Sequence, residues 1–219
     1  SQQAGNVVQA TMRTYREAMK GLLPTPSKSH YTFNLRDFSR VVQGVLLQEP
    51  SDQFQNKPSV MRLWTHEALR VFGDRLTDDT DRQWMCDHCS AMCKEVFKCD
   101  FQSEFDHIRP SDETETGYGT LRRLFWGDYM TPADEDERPY AEVPDLQQLQ
   151  ERTEEALSDF NSASKKPMEL VMFMFAIEHV SRIARVLRMP GGNALLVGVG
   201  GSGRQSLSIL ATEMAGYQL

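Results

Sequence analysis

The residues that could do chemistry in this sequence cluster in Ala194-Leu-Leu-Val-Gly-Val-Gly-Gly-Ser-Gly-Arg-Gln-Ser206. An apolar run of strand character, Ala194 to Val197, leads into a glycine-rich turn of Gly198, Val199, Gly200, Gly201, Ser202 and Gly203. Helical spacing then runs from Gln205 to Met214. Strand, loop, helix is the order of a phosphate-binding loop, or P-loop. The glycines let the backbone take left-handed dihedrals and turn its N–H groups inward, and the following helix adds the positive end of its dipole. An anion can be held there with little side-chain help.

The chemistry of the loop departs from its shape. The P-loop pattern is Gly, any four residues, Gly, Lys, then Ser or Thr. Gly198 and Gly203 keep that spacing, but Arg204 stands at the lysine position and Gln205 at that of the magnesium-binding hydroxyl. Arginine keeps the positive charge and grips phosphate with a planar fork, yet it is bulkier and places its charge differently. Glutamine offers a metal only a neutral amide. Ser206 brings a hydroxyl one residue late, about 100° further round a helix of about 3.6 residues per turn. These residues point to nucleotide binding without turnover, and a glycine-rich turn carrying no ligand is the alternative. No catalytic residue is assigned.

Cys86, Cys89, Cys93 and Cys99, with His88 and His107 nearby, invite a zinc site. The first three thiols, at i, i+3 and i+7, fall within about 60° of one another on a helix, as a buried apolar stripe also requires. That stripe accounts for Met85, Met92 and Val96 as well. We read four reduced, mostly packed cysteines and assign no metal ligand, with zinc as the alternative. His30, His66 and His179 have no partner at a catalytic spacing. No nucleophile elbow, metalloprotease helix or dinucleotide fingerprint is present.

The elements around the loop read as mainly helical. Residues 6–23 carry Val8, Met12, Tyr15, Met19 and Leu22 on one face, and Pro24 and Pro26 end that helix. A short extended piece, Tyr31 to Phe33, precedes Asn34, which with Asp37 caps a helix whose stripe is Leu35, Phe38, Val41, Val42, Val45 and Leu46. The next helix, about 59–76, places Val60, Leu63, Trp64, Ala68, Val71 and Phe72 inward, and another spans about 81–98. Four helices with short connections suggest a bundle or lid. The interval from Phe101 to Pro144 holds two acidic runs and one apolar island, Leu124-Phe-Trp-Gly-Asp-Tyr-Met130, and reads as a connection docked through that island. Helical spacing resumes over 145–160. A last long helix is predicted from Pro167, at its first position, to Arg188, apolar on all sides at its start.

Composition excludes several classes. With 40% hydrophobic and 25% charged residues in 219, the chain is globular in type and long enough for a sizeable core. A net charge of −7 argues against a nucleic-acid surface. The longest apolar run, Leu170 to Ile177, is far short of the roughly 20 residues a bilayer requires, so no membrane partner is expected. Four cysteines favour a reducing, intracellular setting. A P-loop protein needs a parallel sheet and a downstream acidic strand, so the expectation is a piece of a longer chain.

Several stretches together carry a family resemblance: Gln3 to Ala10, Leu22 to Val41, Phe125-Trp-Gly-Asp-Tyr-Met130, Lys166-Pro-Met168, Phe175-Ala-Ile-Glu-His-Val-Ser-Arg-Ile183, and Leu195 to Ser206. They resemble an axonemal dynein heavy chain. The resemblance covers nearly the whole sequence and is weakest between Phe101 and Pro144. It implies AAA+ modules closing into a ring within one polypeptide. Residues 1–100 would be the helical lid of the third module, 101–144 an acidic connection, and 145–219 the start of the fourth, an α/β P-loop module. The Phe125 to Met130 island suggests a start for that module nearer residue 121. The resemblance further implies an ATP-driven, minus-end-directed microtubule motor of cilia and flagella, with its main hydrolytic site in the first module. Its cofactors would be ATP or ADP with magnesium. Its partners would be the other modules, microtubules, and intermediate and light chains, in the cytoskeleton of the axoneme. A coiled-coil stalk would follow the fourth module. By the same resemblance Arg36 matches an arginine that an AAA+ lid supplies to nucleotide phosphates; a surface arginine on a capped helix is the alternative. An unrelated P-loop enzyme and a ring segment binding no nucleotide remain the competing readings of the whole.

Overall fold

The computed structural model describes residues 2–49, 56–135 and 137–217. They divide into two compact units, Ser1–Leu124 and Phe125–Leu219. The division falls inside the interval from Phe101 to Pro144. Among the described residues the chain is mainly helical, with two short strands, and no helix is long and apolar enough to cross a membrane.

In the first unit, α1 (Gln2–Gly21) stops before the prolines at 24 and 26, whose missing N–H groups cannot continue it. Spacing predicts Val8 and Met19 on its inner face, but both are exposed, and the helix buries Val7, Ala10, Thr11, Thr14 and Ala18 instead. Small residues let neighbouring helices approach, and the two threonines bring no unsatisfied hydroxyl inside. Thr11 Oγ1 donates to the Val7 carbonyl at 2.7 Å and accepts from the Trp64 indole at 3.0 Å; Thr14 Oγ1 donates to the Ala10 carbonyl at 2.9 Å.

The helix α2 (Leu35–Val45) starts at Asn34 through a capping box. The Asn34 side chain accepts from the backbone of residues in the first turn, and Asp37 accepts from the Asn34 N–H at 2.9 Å. Its inner face is Asp37, Val41 and Gly44, while Leu35 and Leu46, expected inside, are exposed. The segment 31–33 that leads into it carries no regular secondary structure.

The central element is α3 (Lys57–Val71), capped by Asn56 and carrying a proline in its first turn. Val60, Leu63, Trp64, Ala68, Val71 and Phe72 are buried as their spacing predicts, and so are Met61, Thr65 and Leu69 on the other faces. Trp64 stacks obliquely on Phe97 with centroids 5.4 Å apart. Truncating such a buried tryptophan to alanine typically costs about 3–5 kcal/mol. The helix α4 (Asp79–Met92) is capped by Asp78 and runs into one π-helical turn, Cys93–Phe97, which Lys98 ends in the left-handed conformation, φ 54°. Short helices α5 (Phe101–Glu104) and α6 (Tyr118–Arg122) follow, and Phe101, Phe105, Leu121 and Leu124 join the same core.

The second unit opens on the apolar island. Strand β1 (Phe125–Gly127) pairs antiparallel with β2 (Ala141–Val143), Phe125 facing Val143 and Gly127 facing Ala141. The Tyr129 ring packs onto Gly127 where a Cβ would otherwise sit, so only glycine fits there. Three helices complete the unit: α7 (Leu146–Ala163), α8 (Met174–Arg188) and α9 (Arg204–Met214). Their core joins Leu149, Leu157, Ile177, Val180, Leu210 and Met214. The start predicted for α8 at Pro167 is seven residues early. Phe173 is extended (ψ 161°), and the helix begins only at Met174. The strand predicted at 194–197 is also not formed. Leu195 is 90% exposed, and among the described residues no strand lies beside it to accept a ladder of hydrogen bonds.

Candidate functional site

The helix α9 sets the loop. Its inner residues Leu210, Ala211 and Met214 anchor it in the core of the second unit. Its far end is held from the segment before β2, where the Arg138 guanidinium donates to the carbonyls of Met214 at 2.6 Å and Ala215 at 3.0 Å. A cation there also meets the negative end of the helix dipole. Asp128, almost buried, lies 3.8 Å from Arg138 and 3.4 Å from Arg188 and fixes both arginines. The loop end of α9 starts at Gly203, and the first-turn N–H groups of a helix have no partner within the helix itself.

Glycine is used for its backbone at two places in the loop. Gly201 (φ 77°) and Gly203 (φ 74°) are left-handed, and Gly203 is the residue on which α9 starts, its carbonyl accepting from the Leu207 N–H at 2.9 Å. The turn encloses an open depression of about 580 Å³ lined by Leu196, residues 201–206 and Ser208. That volume lies within the usual range for small-molecule sites. Of the residues predicted from spacing, the depression unites Gly201, Ser202, Gly203, Arg204 and Gln205; Gly198, Val199 and Gly200 lie outside its lining. It adds Leu196, Ser206 and Ser208. The signal for Ser208 is its place one helical turn after Arg204, where its Oγ donates to the Arg204 carbonyl at 2.7 Å.

The Arg204 side chain folds back onto the loop. Its guanidinium donates to the Val199 carbonyl at 3.0 Å and the Leu196 carbonyl at 3.4 Å. Its stem lies against Gly198, where a Cβ would stand 3.4 Å from Cδ.

Arg36 belongs to the first unit. It is exposed in the first turn of α2 and borders a shallow depression of about 360 Å³ with Leu35, Ser39, Arg40 and Gln43. What fixes its backbone is buried beneath it. Asp37, 1% exposed, accepts from both terminal nitrogens of Arg75, and Phe33 stacks on Phe72 with the Arg75 guanidinium 5.3 Å from the Phe33 ring.

The cysteines sit elsewhere in the first unit. Cys86, Cys89 and Cys93 are buried in the core with Met85, Met92 and Val96, and Cys93 Sγ lies 2.9 Å from Met61 Sδ. Burial pushes the Cys86 thiol up to about 12 and raises the other two as well. His88 turns away from them, stacked on Trp84 at 5.3 Å and bonded to Thr14 Oγ1 at 3.0 Å, and its own pKa is lowered by burial.

Two known family models match separate parts of the chain. The family model described as "Dynein heavy chain, ATPase lid domain" matches residues 1–82, and that described as "P-loop containing dynein motor region D4" matches residues 168–219. Dynein axonemal heavy chain 12 of Mus musculus is 49% identical over 97% of this chain and 7% of its own length. Dynein axonemal heavy chain 3 of Homo sapiens is 49% identical over 97% of the chain and 5% of its own length. Dynein axonemal heavy chain 1 of Mus musculus is 41% identical over the same 97%, and 5% of its own length. The chain thus spans under a tenth of the length of these relatives, joining a dynein lid to the start of a AAA module, and it belongs to the axonemal dynein heavy chain family.

Proposed function

We propose that this chain is a segment of an ATP-driven microtubule motor of cilia and flagella, and that its degenerate P-loop holds a nucleotide without turning it over. The observation that carries the binding half is the glycine turn at 201–203, which opens a depression at the first turn of α9 next to a fixed cation, Arg204. Backbone donors, a helix dipole and a guanidinium together suit a polyphosphate. Gln205, in place of a hydroxyl, supports the absence of turnover. The loop would then belong to the fourth module of the ring and act on the motor by regulation or support. The lid, residues 1–100, would serve the third module, with Arg36 reaching its nucleotide phosphates. Microtubules, the other modules, and intermediate and light chains would be the partners, in the axoneme.

A density map of the intact heavy chain in saturating ATP tests this reading. Nucleotide density at 201–206 is expected, weakened by Arg204→Ala, with the other modules filled. An empty pocket at this loop overturns it. A second reading, a purely structural turn, draws on Arg204, whose bonds to the Leu196 and Val199 carbonyls tie the loop to its own helix.

A further inference from the structure

A P-loop of this family implies magnesium, and the donor set here does not fit that ion. Mg²⁺ takes near-octahedral oxygen ligands and gives up its water reluctantly. The P-loop normally supplies one of those ligands as the hydroxyl after the lysine. That position is the amide of Gln205. The described lining of the depression carries a cation of its own, Arg204. Arg204 is anchored at two loop carbonyls and against Gly198, which fixes its charge at the loop and leaves its remaining N–H groups for an anion.

We propose that this loop takes nucleotide phosphates free of divalent metal, with Arg204 as the resident cation. The proposal rests on the nucleotide-binding reading above and goes beyond it by naming the ionic form of the ligand. Its physical content is that phosphate charge is neutralised by a group tethered to the loop, with no hydrated ion to strip.

The test uses the intact heavy chain, freed of nucleotide, and density maps recorded with ADP in magnesium and with ADP in EDTA. Equal ADP density at 201–206 in both, with the Arg204 guanidinium against phosphate, is the expected result. Density that appears only with magnesium, or a metal peak between phosphate and Ser206 or Gln205, overturns the metal-free proposal and leaves nucleotide binding standing. No density in either overturns nucleotide binding itself. Two variants sharpen the outcome. Arg204→Ala should bind ADP in EDTA on the order of ten- to a hundred-fold more weakly, as loss of a charged hydrogen bond implies. The pair Arg204→Lys with Gln205→Thr should make ADP density magnesium-dependent; if it remains insensitive to EDTA, Arg204 is not the substitute for the metal.

Discussion

Removing the carboxylate of Asp37 should loosen the first unit at the helix that carries Arg36. Asp37 accepts from the Asn34 N–H and from both terminal nitrogens of Arg75 while 1% exposed. Asp37→Ala therefore breaks a capping box and a nearly buried ion pair together. Losing one partner of a buried pair costs roughly 3–5 kcal/mol. The Arg75 side chain is 24% exposed, so water recovers part of that cost, and the pair should account for about 2–3 kcal/mol. The capping bond adds about 1 kcal/mol. Because Arg75 also stacks on Phe33, its own truncation removes more than the pair, and a double-mutant cycle of Asp37→Ala and Arg75→Ala is needed to isolate the coupling. Denaturant-dependent hydrogen exchange at α2 and α3 amides reads the first unit separately from the second. A coupling below about 0.5 kcal/mol, the scatter of independent sites, would refute the account.

Other outcomes follow from the same structure. Arg36→Ala in the intact motor should weaken nucleotide at the module its lid serves by on the order of ten-fold or more, the loss of one charged hydrogen bond, with α2 exchange unchanged; unaltered occupancy would make Arg36 a surface residue. Gly203→Ala should strain the start of α9 by about 1–2 kcal/mol, since the backbone there is left-handed, and accelerate exchange of the Leu207 N–H. Native alkylation should modify Cys99, only partly buried, before Cys86, Cys89 and Cys93; equal rates would contradict the burial. The neutral thiol is the form the core accepts, so Cys86 keeps its contribution to stability below the ordinary value of 9.0 and loses it as pH rises from there through about 12, to be checked by pH-dependent unfolding. Finally, the 219-residue chain by itself should release no phosphate from ATP above a protein-free control.

Some of this fold was legible because one kind of force decided it. In α3 every position of the predicted stripe is buried, and the Asn34 and Asp37 spacing correctly announces a capped helix, since both signals are local. The misreadings have separate causes. In α1 the packing selects small residues, and Ala10, Thr11, Thr14 and Ala18 displace the bulkier Val8 and Met19 from the inner face because helix approach outweighs side-chain area. Hydropathy marks the stretch before α8 but carries no start signal, and Phe173 has no side-chain oxygen to cap with. At the loop, glycine spacing located the turn, yet only Gly201 and Gly203 use positive φ. The fold-back of Arg204 was not legible, because it depends on where two carbonyls point.

The extended stretch 195–199 has a consequence for anyone handling this chain. Leu195, Val197 and Val199 expose apolar side chains from a backbone that pairs with no strand among the described residues, only the Leu196 and Val199 carbonyls being taken up by Arg204. A run like this is a template for pairing with an identical run on another copy. Chains made at this length should therefore associate strand to strand as concentration rises, with light scattering growing steeply and a charged substitution at Val197 suppressing it.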